Sequence, residues 1–128
     1  STWDRVPWIS DRFDAELRRC VQHHLTMAGG ALLACGASDD HAHVLLRAPA
    51  TMVASDVIGA MKGGASHAMH TTFGVDPALR FSQGYALFSV SPEAVSRVAR
   101  YVEDQRQRHA AGRVIPCWEH ERPPREHP

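Results

Sequence analysis

The sequence predicts an α+β domain of the ferredoxin-like (RRM-like) type, an antiparallel sheet with helices on one face plus a C-terminal helix. Two observations carry that expectation. Apolar periodicity changes along the chain in the order helix, strand, strand, helix, strand, helix, which is a βαββαβ unit without its first strand and with one helix added. At 128 residues the chain can bury a single core but is short of the length at which chains divide into domains.

After the opening STWDRVPW, Ser10 is placed to cap a first helix. In it Phe13, Leu17, Val21 and Leu25 recur at every fourth position to form one apolar stripe, and Gly29-Gly30 ends it. ALLACGA (31–37) and HVLLRA (43–48) are short apolar runs joined by the turn formers Ser38-Asp39-Asp40, the pattern of a hairpin with His41 at the start of its second strand. Pro49 stops that strand. From Thr51 onward Val53, Val57, Ile58, Met61 and Ala65 keep helical spacing as far as Phe73-Gly74, with Gly63-Gly64 a weak point. A loop is expected from Asp76-Pro77. GYALFSV (84–90), rich in aromatic and branched residues, reads as a third strand, and Ser91-Pro92-Glu93 opens a third helix running to about Ala111-Gly112. The domain is expected over 1–119, with a polar, Pro-rich tail at 120–128. The absent first strand would lie in the middle of the sheet, so its two neighbours are expected to have open edges unless another chain supplies it.

Hydrophobic content of 44% and charged content of 22% fit a globular chain and exclude disordered and fibrous classes. No apolar window approaches the length of a membrane span and no signal-peptide pattern opens the sequence, so no membrane partner and a cytoplasmic location are expected. The three cysteines form no CxxC pair, as for reduced thiols. A formal net charge of zero provides no broad attraction for nucleic acid, although nine histidines add positive charge below about pH 6.5.

Chemistry is concentrated in two places. In DDHAHVLL (39–46) the alternation of a strand puts His41 and His43 on one face, about 7 Å apart at Cα, with Ala42 on the other. Two imidazoles at that spacing can converge on one metal ion, and equally each can be an ordinary hydrogen-bonded strand residue. A third alternating histidine, needed by the histidine-triad nucleotide hydrolases, is replaced by Leu45, and the HExxH string of metalloproteases does not occur. In YVEDQ (101–105) Tyr101 and Gln105 lie one helical turn apart on one face. An amide oxygen can complete a shell begun by two histidines and a tyrosine offers a hydroxyl nucleophile; packing by the ring and solvation of the amide is the plain alternative.

Taken together, DHAHVLL, Lys62-Gly63, QGYALFSVS and YVEDQ resemble the HUH single-tyrosine transposases of the insertion sequence 200/605 family and their domesticated relatives, over roughly residues 2–119, with Thr2, Arg5 and Pro7 matching the segment after the family's first strand. Phe81-Ser82 stands where the family usually carries Trp. The resemblance implies that His41, His43 and Gln105 ligate a divalent metal, Mg²⁺ or Mn²⁺, and that Tyr101 is the nucleophile. It further implies cleavage of single-stranded DNA with hairpin ends, through a 5′-phosphotyrosine intermediate, by a homodimer in which composite active sites can form. Arg47, Lys62, Arg97, Arg100 and Arg108, with Arg80 and Arg106, are the candidates for DNA contact, each of which can also be solvated surface. Two other readings stay open: a domesticated binder of hairpin nucleic acid that does not cut, and a small metal-dependent hydrolase.

Overall fold

The computed structural model describes residues 1–74 and 78–119; the loop expected at Asp76-Pro77 and the tail at 120–128 lie outside the described residues. Four helices and two strands follow in the order α1 (Asp14–Met27), β1 (Ala31–Ala37), β2 (Ala42–Arg47), α2 (Ala54–Phe73), α3 (Val95–Glu103) and α4 (Gln105–Ala110). Ser10 does not cap α1 with its side chain. Its carbonyl accepts the Phe13 N–H at 3.1 Å and starts a 3₁₀ turn over Asp11–Phe13 that leads into the helix. The apolar stripe of α1 is buried as its spacing requires, at Leu17, Val21 and Leu25 with Cys20 beside them. Leu25 is fully buried, a burial of the kind that contributes about 1.5–3 kcal/mol. The helix ends at Gly29, whose φ of +77° a residue with a Cβ rarely adopts.

β1 and β2 pair antiparallel, with Gly36 opposite His43 and Ala37 opposite Ala42, and a bulge between Leu32 and Ala34. The Ser38 N–H donates to the His41 carbonyl at 2.9 Å, which closes the hairpin turn. Strand alternation then sorts the side chains. Cys35, Ala37, Ala42, Val44 and Leu46 join the core made with α1 and α2, whereas Ala34 and Leu45 form a second cluster with Val102 of α3. The sheet therefore carries α1 and α2 on one face and the C-terminal helical segment on the other.

The third strand is not formed. Among the described residues the sheet has two strands, and 84–90 makes no ladder, leaving Tyr85, Leu87 and Phe88 49%, 65% and 58% exposed. In the ferredoxin-like order the last strand pairs with the first, and no such strand is among the described residues, so β propensity at 84–90 has no partner to act on. The third helix is likewise divided. α3 ends at Glu103 and α4 begins at Gln105, with Asp104 between them at φ −95°, ψ 20°. Arg106 on α4 ties this segment to the rest, donating to both Asp14 carboxylate oxygens at 2.8 and 2.7 Å and to Asp39 at 3.2 Å.

Near the N-terminus, Thr2 and Ile9 donate their N–H groups to the carbonyls of Asp40 and Asp39, both at 2.8 Å, and Thr2 bridges to Phe81. The residues before α1 thus brace the hairpin turn that carries His41. No described helix is long and apolar enough to cross a membrane.

Candidate active site

His41 is the last residue of the hairpin turn, and its ring is fixed from behind. Nδ1 lies 2.6 Å from Asp40 Oδ1 and 3.0 Å from Ser38 Oγ. A carboxylate can only accept, so Nδ1 carries a proton and Nε2 is the nitrogen turned into the site. That Nε2 is buried without a hydrogen bond, although Glu119 Oε2 stands 3.2 Å away. His43, on the same face of the hairpin, places its Nε2 3.2 Å from the same oxygen, with the two imidazole rings 5.1 Å apart. Burial, reinforced by His41 and His109, lowers the His43 pKa against the opposing pull of Glu119, so the ring is neutral at pH 7 and donates its Nε2 proton to that carboxylate.

Across from the hairpin, α3 lies so close to β1 that a Cβ on Gly36 would stand 1.7 Å from the Val102 carbonyl oxygen. This approach delivers Tyr101 to the histidines, with its ring centroid 6.1 Å from that of His43. Tyr101 is only 1% exposed. Its hydroxyl donates to Glu119 Oε1 and accepts the Ile115 N–H at 3.0 Å, while Trp118 packs against the ring at 4.9 Å. Burial, together with the bond to the Glu119 carboxylate, raises its pKa, so the phenol is protonated at neutral pH. Glu119 is itself lowered: burial opposes its charge, but the Tyr101 hydroxyl and both histidines outweigh that penalty.

Gln105 is fully buried below Tyr101, donating from Nε2 to the Tyr101 carbonyl at 2.9 Å and accepting at Oε1 from His109 Nε2 at 3.2 Å. The break at Asp104 leaves Tyr101, Gln105 and His109 in register on one face. His109 Nε2 is also 3.5 Å from Glu119 Oε1. The donor atoms of His41, His109 and Glu119 all lie within 4.8 Å of one another, a grouping that fits a divalent ion, and the orphaned Nε2 of His41 is what a metal would satisfy.

His41, His43 and Tyr101 thus meet within one chain, with Gln105 linked to them through the Tyr101 carbonyl and His109. Of the basic candidates, Arg108 stacks its guanidinium 4.9 Å over the Tyr101 ring and Arg97 stands 5.4 Å over Trp118. Arg100 is exposed on α3 and Arg47 at the end of β2. Lys62 donates to the carbonyls of Ser82 and Gly84, and burial lowers its pKa. Arg80 packs over Trp3 at 4.5 Å, and Arg106 is held by Asp14, so neither stands at the site. Sequence reasoning omits His109 and Glu119. His109 carried a signal, since it repeats the four-residue spacing of Tyr101 and Gln105. Glu119 carried none, lying beyond the last helix.

The family model described as "Transposase IS200 like" matches residues 1–105. A crystal structure described as that of a candidate transposase from Deinococcus radiodurans R1 matches with a TM-score of 0.61 and 23% identity, over 82% of this chain and 85% of that chain, a likeness of fold. No curated protein matches the chain. With a match over most of its length and the fold to accompany it, the chain belongs to the IS200-like transposase family.

Proposed function

We propose that this transposase is an HUH-type single-stranded DNA transesterase in which Tyr101 attacks a DNA phosphate to give a 5′-phosphotyrosine intermediate. The observation that carries the reading is the convergence, on the one carboxylate of Glu119, of the Tyr101 hydroxyl and the Nε2 atoms of His41 and His43. His41, His43 and Gln105 would hold Mg²⁺ or Mn²⁺. When bound, such an ion polarises the scissile phosphate and offsets charge that develops on its oxygens. Asp40 fixes the tautomer of His41, and the close packing of α3 on β1 at Gly36 sets the distance of Tyr101 from the histidine pair. Arg108, over the phenol ring, and Arg97 and Arg100 on α3 are the residues proposed to position the strand. Arg47 and Lys62 remain candidates at greater remove.

The proposed partner is single-stranded DNA with hairpin ends, met in the cytosol by a homodimer. The meeting of both halves of the site in one chain supports self-contained active sites over composite ones. Incubation with a hairpin-bearing single-stranded oligonucleotide and Mn²⁺ should give a covalent protein–DNA adduct that Tyr101→Phe reduces to background. An adduct of unchanged yield in that variant would remove Tyr101 as the nucleophile.

The burial of Tyr101 favours a second reading, a relative that binds hairpin nucleic acid without cutting it. It predicts no covalent product from the wild type and an affinity that survives both Tyr101→Phe and His41→Ala.

A further inference from the structure

The geometry points to Glu119 as a ligand of the divalent cation, binding through Oε2 beside His41 and His43, so that a carboxylate from beyond α4 closes the site. This rests on the reading that the histidine pair holds the ion. Glu119 lies outside residues 1–105, the part that matches the family model.

Three observations carry it. First, the spacing is that of ligands around one ion. Two ligand atoms at about 2.1 Å from a common metal stand roughly 3.0 Å apart at octahedral and roughly 3.4 Å apart at tetrahedral angles. Glu119 Oε2 is 3.2 Å from His41 Nε2, with His109 completing a group whose donor atoms lie within 4.8 Å of one another. It is also 3.2 Å from His43 Nε2, a hydrogen bond whose proton an ion would displace. Second, the His41–Glu119 contact is not a hydrogen bond, although the two atoms lie at hydrogen-bond distance. Asp40 holds Nδ1 at 2.6 Å, which leaves the buried Nε2 facing the Glu119 oxygen without a hydrogen bond, and a cation between the two atoms would satisfy both. Third, the carboxylate is held from several sides. The Tyr101 hydroxyl donates to Oε1, His109 Nε2 stands 3.5 Å from it, and the Trp118 ring packs on Tyr101 next in the chain.

The chemical consequence is a change in the donor set. Two imidazoles and an amide oxygen are a neutral shell, and Gln105 already shares its oxygen with His109. Two imidazoles and a carboxylate bring one negative charge and a hard oxygen, which favours divalent ions such as Mn²⁺ and Mg²⁺ and tightens their binding.

The experiment is titration of the full chain with Mn²⁺ in the absence of DNA, followed by calorimetry and by the Mn²⁺ electron paramagnetic resonance signal. Glu119→Gln, nearly isosteric, should weaken Mn²⁺ at least about tenfold, and His41→Ala should abolish binding. The rise in Tm on adding Mn²⁺ should shrink in the same order, which gives a second readout. Glu119→Ala serves if the Gln variant does not keep the wild-type circular dichroism and metal-free Tm. If His41→Ala abolishes Mn²⁺ binding while both Glu119 variants bind as tightly as wild type or more tightly, the inference is overturned and the histidine site stands. If Mn²⁺ binds unchanged to His41→Ala, the histidine site itself falls and Glu119 with it.

Discussion

Cys35 and Cys117 are the same side chain in opposite surroundings. Burial on β1 pushes the Cys35 thiol up to about 11, and burial raises Cys20 on α1 as well. Cys117 is exposed in the short turn that brings Trp118 and Glu119 to the site. Because the thiolate is the reactive form and must also be reached, a maleimide at pH 8 should label one thiol per native chain, at Cys117, and three after denaturation. Rapid native labelling at Cys35 or Cys20 would mean that the face of β1 packed on α1 is open. The same dependence on surroundings decides which site residues can be read from sequence. The shared face of His41 and His43 was legible by strand alternation, and that of Tyr101 and Gln105 by helical spacing. Each is a local pattern. Glu119 reaches His41 only because α3 and α4 fold back across the hairpin, and no spacing encodes a contact across 78 positions.

The element that matters most for chemistry is α3, and its position depends on one missing side chain. A Cβ at Gly36 would meet the Val102 carbonyl oxygen at 1.7 Å and its carbon at 2.8 Å. Both are backbone atoms, so Gly36→Ala cannot be absorbed by a rotamer change and α3 must move away from β1. The expected cost is about 1–3 kcal/mol of overpacking, measured by chemical denaturation. Adduct formation should fall as well, because Tyr101 travels with the helix. An alanine variant of full stability and full activity would show that α3 is not held at this distance. Elements defined by their own sequence were legible: the stripe of α1, the hairpin and α2. The 84–90 segment was misread because strand propensity describes half of a pair. The break at Asp104 was unreadable for a related reason, since Arg106 must leave the line of α3 to reach Asp14 and Asp39.

For the whole molecule, the balance of 14 basic and 14 acidic residues sets the kind of DNA binding available. Several of the cations are engaged within the protein, as Arg106 is with Asp14, Arg18 with Glu103 and Arg19 with Glu16. On the proposed function, affinity for a single strand is expected to come from a few cations near the site, Arg97, Arg100 and Arg108. Each phosphate neutralised on a single strand contributes about −0.7 to the slope of log K against log salt concentration, so three contacts give a slope near −2. Affinity for a hairpin oligonucleotide should then fall about 15-fold between 50 and 200 mM salt, a shallow dependence for a nucleic-acid enzyme. Arg97→Ala should flatten the slope by about 0.7, whereas Arg106→Ala should leave it unchanged, its guanidinium being tied to Asp14. A slope steeper than about −4 would require a basic surface that these three arginines do not supply. An Arg97→Ala variant with the wild-type slope would take that residue out of the DNA path. The test separates the local field of the site from the net charge, which at zero would otherwise argue against DNA as a partner.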